Sequence, residues 1–318
     1  MGALALGLTV LAAPALALAG PLVGTLKDDK LDESSGLVKS RLHPNTYWSH
    51  NDSGGDPVLF AVGPKGEALG RVEVTGASAK DWEDIAMDPQ GNLWIHDGGN
   101  NKNKRRDLTV WRVPESSALT GSVAADRAVR FHFPEQTEFP PKAKNFDSEA
   151  IFWDGDSMML LTKHRADTRT VLYAFPSGVA DAVGAEPSAP SFALQRLGEF
   201  DVGGNMDNYG GKVTGADLSP DGARLAVLTY HAIFVFERPP AAPSDGSGAA
   251  GDGVAGGPTN WLAGPSHRIA LVQPVLQQCE AIAWDGDALL VTNEGRALFR
   301  LEAPTAPGCK AFPGPGCT

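Results

Sequence analysis

Apolar positions along this chain fall in short runs, separated by clusters of Gly, Pro, Asn and Asp, and sustained helical periodicity is scarce. That pattern predicts strands joined by tight turns. The runs also repeat. SSGLVKSRLHPNTYWSHND, WEDIAMDPQGNLWIHDGG, SEAIFWDGDSMMLLTKH, VTGADLSPDGARLAVLTYH and CEAIAWDGDALLVTNEG each read strand, polar turn, strand. A third strand follows each: PVLFAVGP, LTVWRVPE, TVLYAFPS, AIFVFERP and ALFRLEAP. A fourth follows the first four units: ALGRVEV, AVRFHFP, FALQRLGEF and HRIALV.

The fifth unit has no fourth strand, but PLVGTL, from Pro21, is a strand without a unit. Supplying the missing outer strand, it closes the repeats into a ring. The pattern therefore predicts an all-β fold, a five-bladed β-propeller with four strands per blade. A β-sandwich has no reason to repeat one strand–turn–strand chemistry five times. PPAAPSDGSGAAGDGVAGGP, residues 239–258, reads as a flexible insertion in the fourth blade, and NMDNYGGK ahead of that blade reads as a polar loop.

Composition narrows the setting. The first 19 residues carry no charge and end Ala17-Leu18-Ala19 before Gly20, the small-x-small pattern of a cleaved signal peptide, although the usual basic start is missing. We expect residues 1–19 to be a signal, 20–305 the propeller and 306–318 a tail, in a secreted or periplasmic protein with no stable membrane span. A formal net charge of -11 argues against a nucleic-acid partner. In an oxidising compartment Cys309 and Cys317, flanking a Pro/Gly loop, are expected to close a disulfide, leaving Cys279 as a small packed residue. The chain reads as a monomer.

The repeat brings one column of polar residues into register at the start of each inner strand: Ser35, Glu83, Glu149, Thr214 and Glu280, spaced by 48, 66, 65 and 66 residues. Inner strands line a propeller's channel, so the column predicts a ring of oxygens. Three facing carboxylates repel unless a cation sits among them, and an all-oxygen set favours calcium or magnesium, calcium best because its geometry is flexible. The competing expectation is that these carboxylates bond backbone N–H groups of neighbouring blades.

A second column ends the second strands: Asn51, Asp97, Thr162, Thr229 and Asn293, followed by Asp52, Gly98, Lys163, Tyr230 and Glu294. Antiparallel pairing puts these at the same channel mouth. Asn51, Asp97, Thr162, Lys163, Thr229, Tyr230 and Asn293 are candidates to bind a small polar or anionic ligand; Asp52, Asp97, Lys163 and Glu294 are candidates for catalysis. HDGGNNKNKRRD, from His96, adds a basic loop with Lys102, Lys104, Arg105 and Arg106. No Gly-x-Ser-x-Gly elbow or Ser-His-Asp triad is evident.

SSGLV, DWEDIAMD, DSEAIFW, VTGADLSPDG and CEAIAWDG, in this order, resemble the SdiA-regulated domain family of exported bacterial five-bladed propellers. The Ser/Glu/Glu/Thr/Glu column is also similar to the axial ring of the calcium-activated nucleotidases, or apyrases. That resemblance implies calcium at Ser35, Glu83, Glu149, Thr214 and Glu280. It does not extend to apyrase substrate residues. Two functions follow: a calcium-binding module that presents its channel mouth to a ligand or cell-envelope component, or a calcium-dependent hydrolase of phosphoesters or phosphoanhydrides.

Overall fold

A computed structural model describes residues 21–181, 190–205, 210–240, 257–271, 276 and 278–304. The expected signal peptide, the two terminal cysteines, most of the low-complexity insertion and part of the NMDNYGGK loop lie outside the described residues.

The chain opens with β1 (Leu22–Thr25) and then builds its first blade from β2 (Ser34–Lys39), β3 (Tyr47–Asn51), β4 (Val58–Val62) and β5 (Ala68–Thr75). The second comprises β6 (Asp84–Met87), β7 (Asn92–Asp97), β8 (Thr109–Pro114) and, after β9 (Gly121–Ala124), β10 (Arg127–His132). The third is β11 (Asp147–Asp154), β12 (Ser157–Lys163), β13 (Arg169–Ala174) and, after β14 (Phe192–Ala193), β15 (Gln195–Asp201). The fourth is β16 (Val213–Leu218), β17 (Arg224–Thr229), β18 (Ala232–Glu237) and β19 (Ser266–Ala270), with a 3₁₀ turn at Trp261–Ala263 before its last strand. The fifth is β20 (Cys279–Asp285), β21 (Ala288–Asn293) and β22 (Ala297–Glu302). β1 pairs antiparallel with β22 and closes the ring, as the orphan strand predicts.

Two strands depart from the expected four per blade. β9 pairs in parallel with β5, and β14 in parallel with β10, so the first and second blades each gain a fifth, outer strand from the chain of the following blade. FALQRLGEF is accordingly not one strand: Phe192 and Ala193 serve the second blade, whereas Gln195–Asp201 serves the third.

Side chains alternate across a strand, and here both faces are covered. On β11, Ile151 and Trp153 pack with Trp94, Val110 and Val129 of the second blade, while Ala150 and Phe152 pack with Val213, Ala216 and Val227 of the fourth. That is why these strands read as continuous apolar runs rather than alternating ones. Equivalent clusters join the other neighbours, including Leu37 and Tyr47 of the first blade with Ala281, Ala283 and Leu290 of the fifth. Among the described residues no helix is long and apolar enough to cross a membrane.

Candidate functional site at the channel mouth

Four of the five column residues share one backbone feature. Ser35, Glu149, Thr214 and Glu280 are each the unpaired residue where the register of an inner strand slips: Ser34↔Asn51 is followed by Gly36↔His50, Ser148↔Thr162 by Ala150↔Leu161, Val213↔Thr229 by Gly215↔Leu228, and Cys279↔Asn293 by Ala281↔Thr292. A β-bulge re-aims its extra side chain, which explains a polar residue inside an otherwise apolar strand. Glu83 stands just ahead of β6 and donates its N–H to His96 O at 2.9 Å. All five are buried.

Their side chains do different work. The hydroxyl of Ser35 donates to the backbone carbonyl of Glu83 at 2.7 Å, and that of Thr214 to the carbonyl of Cys279 at 2.8 Å. Each therefore ties its own blade to a neighbour. Glu149 Oε2 accepts from Lys163 Nζ at 2.9 Å; the same ammonium lies 3.2 Å from the Tyr230 hydroxyl, which donates to Glu280 Oε1 at 2.8 Å. This relay joins blades three, four and five. Burial opposes the charge of Lys163, but Glu149, Tyr230, Glu280 and Glu83 hold its pKa well above the ordinary lysine value. Burial raises Glu280 to about 7 against the opposing pull of Lys163 and Tyr230. Glu83 and Glu149 are also raised, by burial first; Glu149's charge adds to the rise of Glu83. Arg165 adds a second cation, bonding Asp147 Oδ2 at 2.6 Å and standing 3.7 Å from Glu149 Oε1.

Beside this relay, carboxylate oxygens of Asp52, Asp81 and Glu83 lie within 4.8 Å of one another. Burial, then the charge of Asp52, pushes Asp81 up to about 6; burial also raises Asp52. Gly99 packs so closely that a Cβ there would overlap Glu83 Oε1 and the Asp81 carboxylate. Glu294 stands at the same mouth, raised by burial and by the charges of Glu33 and Asp52.

The second column divides as well. Thr162 Oγ1 accepts the Val171 N–H at 2.9 Å, Thr229 Oγ1 accepts the Ala232 N–H at 3.0 Å, and Asn293 Oδ1 accepts the Ala297 N–H at 2.8 Å. These three side chains bond the start of the next strand or its turn. Asn51 bonds the Lys30 carbonyl at 2.6 Å and the Glu33 N–H at 3.2 Å; Asp97 takes Arg105 Nη2 at 2.9 Å and the Asp81 N–H at 3.1 Å. The groups brought to the mouth are one residue further on: Asp52, Lys163, Tyr230 and Glu294.

In the basic loop, Arg105 turns inward onto Asp97, Arg106 stacks 3.7 Å above the Phe139 ring, and Lys102 and Lys104 are exposed. Cys279 is buried, its thiol raised to about 12 by burial. The residues that sequence reasoning missed are Asp81, Asp84, Asp147 and Arg165. Their signal was local: Asp81, Glu83 and Asp84 put three acids into four residues around Trp82, and Asp147 stands two residues before Glu149.

The chain matches no protein-family model, and no curated protein matches it. Among solved structures it is similar to virginiamycin B lyase from Staphylococcus aureus, at 12% identity and a TM-score of 0.39 over 85% of this chain and 66% of the lyase. It is also similar to the PQQ-bound aldose sugar dehydrogenase from Streptomyces coelicolor, at 14% identity and a TM-score of 0.43 over 91% of this chain and 97% of that one. At that level of likeness the fold rests on the strand pairing described above.

Proposed function

We propose that this is an exported binding module whose channel mouth holds a divalent cation of the calcium type and, through it, a small polar or anionic ligand. The excess of acid carries this reading. Asp52, Asp81, Glu83, Asp147, Glu149, Glu280 and Glu294 gather there, and the cations set against them are Lys163, Arg165 and Arg105. Oxygen donors without histidine or thiolate suit calcium, magnesium or manganese. The resemblance to the SdiA-regulated domain family supports export, and that of the Ser/Glu/Glu/Thr/Glu column to the ring of the calcium-activated nucleotidases supports a calcium-type cation. Calcium at about 100 times its Kd is worth about 2.7 kcal/mol, or roughly 5 °C in Tm for a domain of this size. Calorimetry with calcium and with chelator tests it: equal melting temperatures in both defeat the reading.

A second reading is a metal-dependent hydrolase of phosphoesters or phosphoanhydrides. What favours it is the place of Asp81, partly exposed with its carboxylate within 4.8 Å of those of Asp52 and Glu83, where burial pushes it up to about 6, toward the range of a general base near neutrality. A panel of nucleotide and ester substrates, assayed in the same calcium and chelator samples, separates the two. Calcium-dependent turnover lost in Asp81→Asn favours the hydrolase; no turnover leaves the binding module.

A further inference from the structure

We infer that the basic loop after β7 and the segment leading into β11 form one docking surface for a linear polyanion, separate from the acidic channel mouth. Both lie on the mouth side of the second blade: residues 98–107 leave the end of β7, and residues 133–146 run from the end of β10 to the start of β11. Buried asparagines fix the two segments to each other. Asn100 donates its N–H to Asp147 Oδ1 at 2.6 Å, and its own Oδ1 accepts the N–H groups of Lys104 at 2.8 Å and Arg105 at 3.0 Å. Asn103 is fully buried at a φ of 51°, a left-handed backbone that asparagine tolerates. Its Oδ1 accepts the Phe146 N–H at 2.8 Å, and its carbonyl accepts the Gln136 amide at 3.0 Å.

With the amides turned inward, the cations face solvent. Lys102, Lys104, Arg106, Lys142 and Lys144 are exposed, and among the described residues none of them has an ion-pair partner. Neighbouring acids are largely engaged: Asp107 by Lys80 and Arg105, Asp147 by Arg165. Glu135 and Glu138 stand on the second segment, and Asp167 takes the Asn145 amide at 2.9 Å. The cations outnumber these acids, although the whole chain has a formal net charge of -11. Unpaired cations gathered against the sign of the chain attract anions. Arg106 is held by its face, 3.7 Å above the Phe139 ring, which leaves the N–H fork at its rim to an anion. The acidic mouth selects the partner's shape. A flat anionic membrane laid on this side would also meet Asp52, Asp81 and Glu294, whereas a narrow, flexible chain can follow the two segments and avoid them. Phe139, covered by Arg106, offers no platform for stacking nucleotide bases.

The test is binding of long-chain inorganic polyphosphate to the full chain, in chelator so that no ion at the mouth bridges the two. Wild type should bind it, with an affinity that falls on the order of tenfold or more between about 50 and 200 mM salt. Lys102→Gln with Lys104→Gln, and Lys142→Gln with Lys144→Gln, should each weaken binding on the order of tenfold and reduce the salt slope by about 1 to 2. Both double variants should keep the wild-type Tm, since they change exposed side chains without ion pairs. Lys27→Gln with Lys65→Gln removes the same charge from an exposed pair near β1, where the Lys27 N–H meets the Gly66 carbonyl at 2.8 Å, and should change binding little. Equal weakening by that pair would reduce the effect to net charge and overturn the inference. Absence of polyphosphate binding overturns it as well, and so does binding to phosphatidylglycerol vesicles alone, which makes the partner a membrane. Single-stranded DNA held more tightly than polyphosphate of equal charge also overturns it, since bases then take part. Each of these failures leaves the cation-binding reading of the mouth standing.

Discussion

Asp84 holds more of the ring together than any other single carboxylate described. It is fully buried and accepts N–H groups from Ile85 at 2.8 Å, Ile151 at 3.0 Å and Ala216 at 3.4 Å, in blades two, three and four. Asp84→Ala leaves the two cross-blade amides without acceptors, at about 1–3 kcal/mol each. Urea denaturation should show that loss, and an unchanged midpoint would refute the role. His96 offers a test by pH. It is fully buried, stacks on Phe131 and bonds Ser148 Oγ at 3.2 Å. Burial, then Arg105 and His50, lowers its pKa from 6.5 to about 3. The unfolded chain takes up this proton below about 6.5 and the folded chain does not. The His96 contribution to stability is therefore complete above that pH and declines as the pH falls toward 3. Melting curves between pH 7 and 4.5 should accordingly fall more steeply for wild type than for His96→Gln.

At the scale of strands, closure depends on a short element. β1 pairs through Leu22↔Phe299, Gly24↔Leu298 and Thr25↔Ala297. Beyond it, the Arg296 guanidinium donates to the carbonyls of Leu26 at 2.6 Å and Asp28 at 2.8 Å. A Cβ on Gly24 would overlap the Lys65 backbone carbonyl, so this close approach requires glycine. Gly24→Val should displace β1, expose β22 as an open edge and promote association. A lower Tm with increased light scattering would show it; wild-type behaviour in both would place closure elsewhere. The added strands β9 and β14 were not legible beforehand, because their partners lie in the preceding blade. A two-residue strand such as Phe192–Ala193 also carries no periodicity.

Across the whole molecule, charge is distributed unevenly in depth. Apolar clusters join neighbouring blades all the way round, while carboxylates of several blades meet at one channel mouth. Folding thus brings like charges together, and the hydrophobic interfaces offset that repulsion. The rise in Tm expected with calcium belongs to this scale, since a cation at the mouth would relieve a repulsion to which several blades contribute.

The sequence by itself determined the repeat, the strand order within most blades, the closing strand and the column of polar residues, because all of these follow from local spacing and side-chain periodicity. Tertiary structure alone decided how that column is used. Spacing shows that Ser35, Glu83, Glu149, Thr214 and Glu280 are equivalent. It does not show that Lys163 reaches Glu149, that Tyr230 reaches Glu280 from another blade, or that Asp52 comes within 4.8 Å of Asp81 and Glu83. Equivalence is a property of the repeat, whereas pairing depends on where side chains from different repeats meet after the ring has closed.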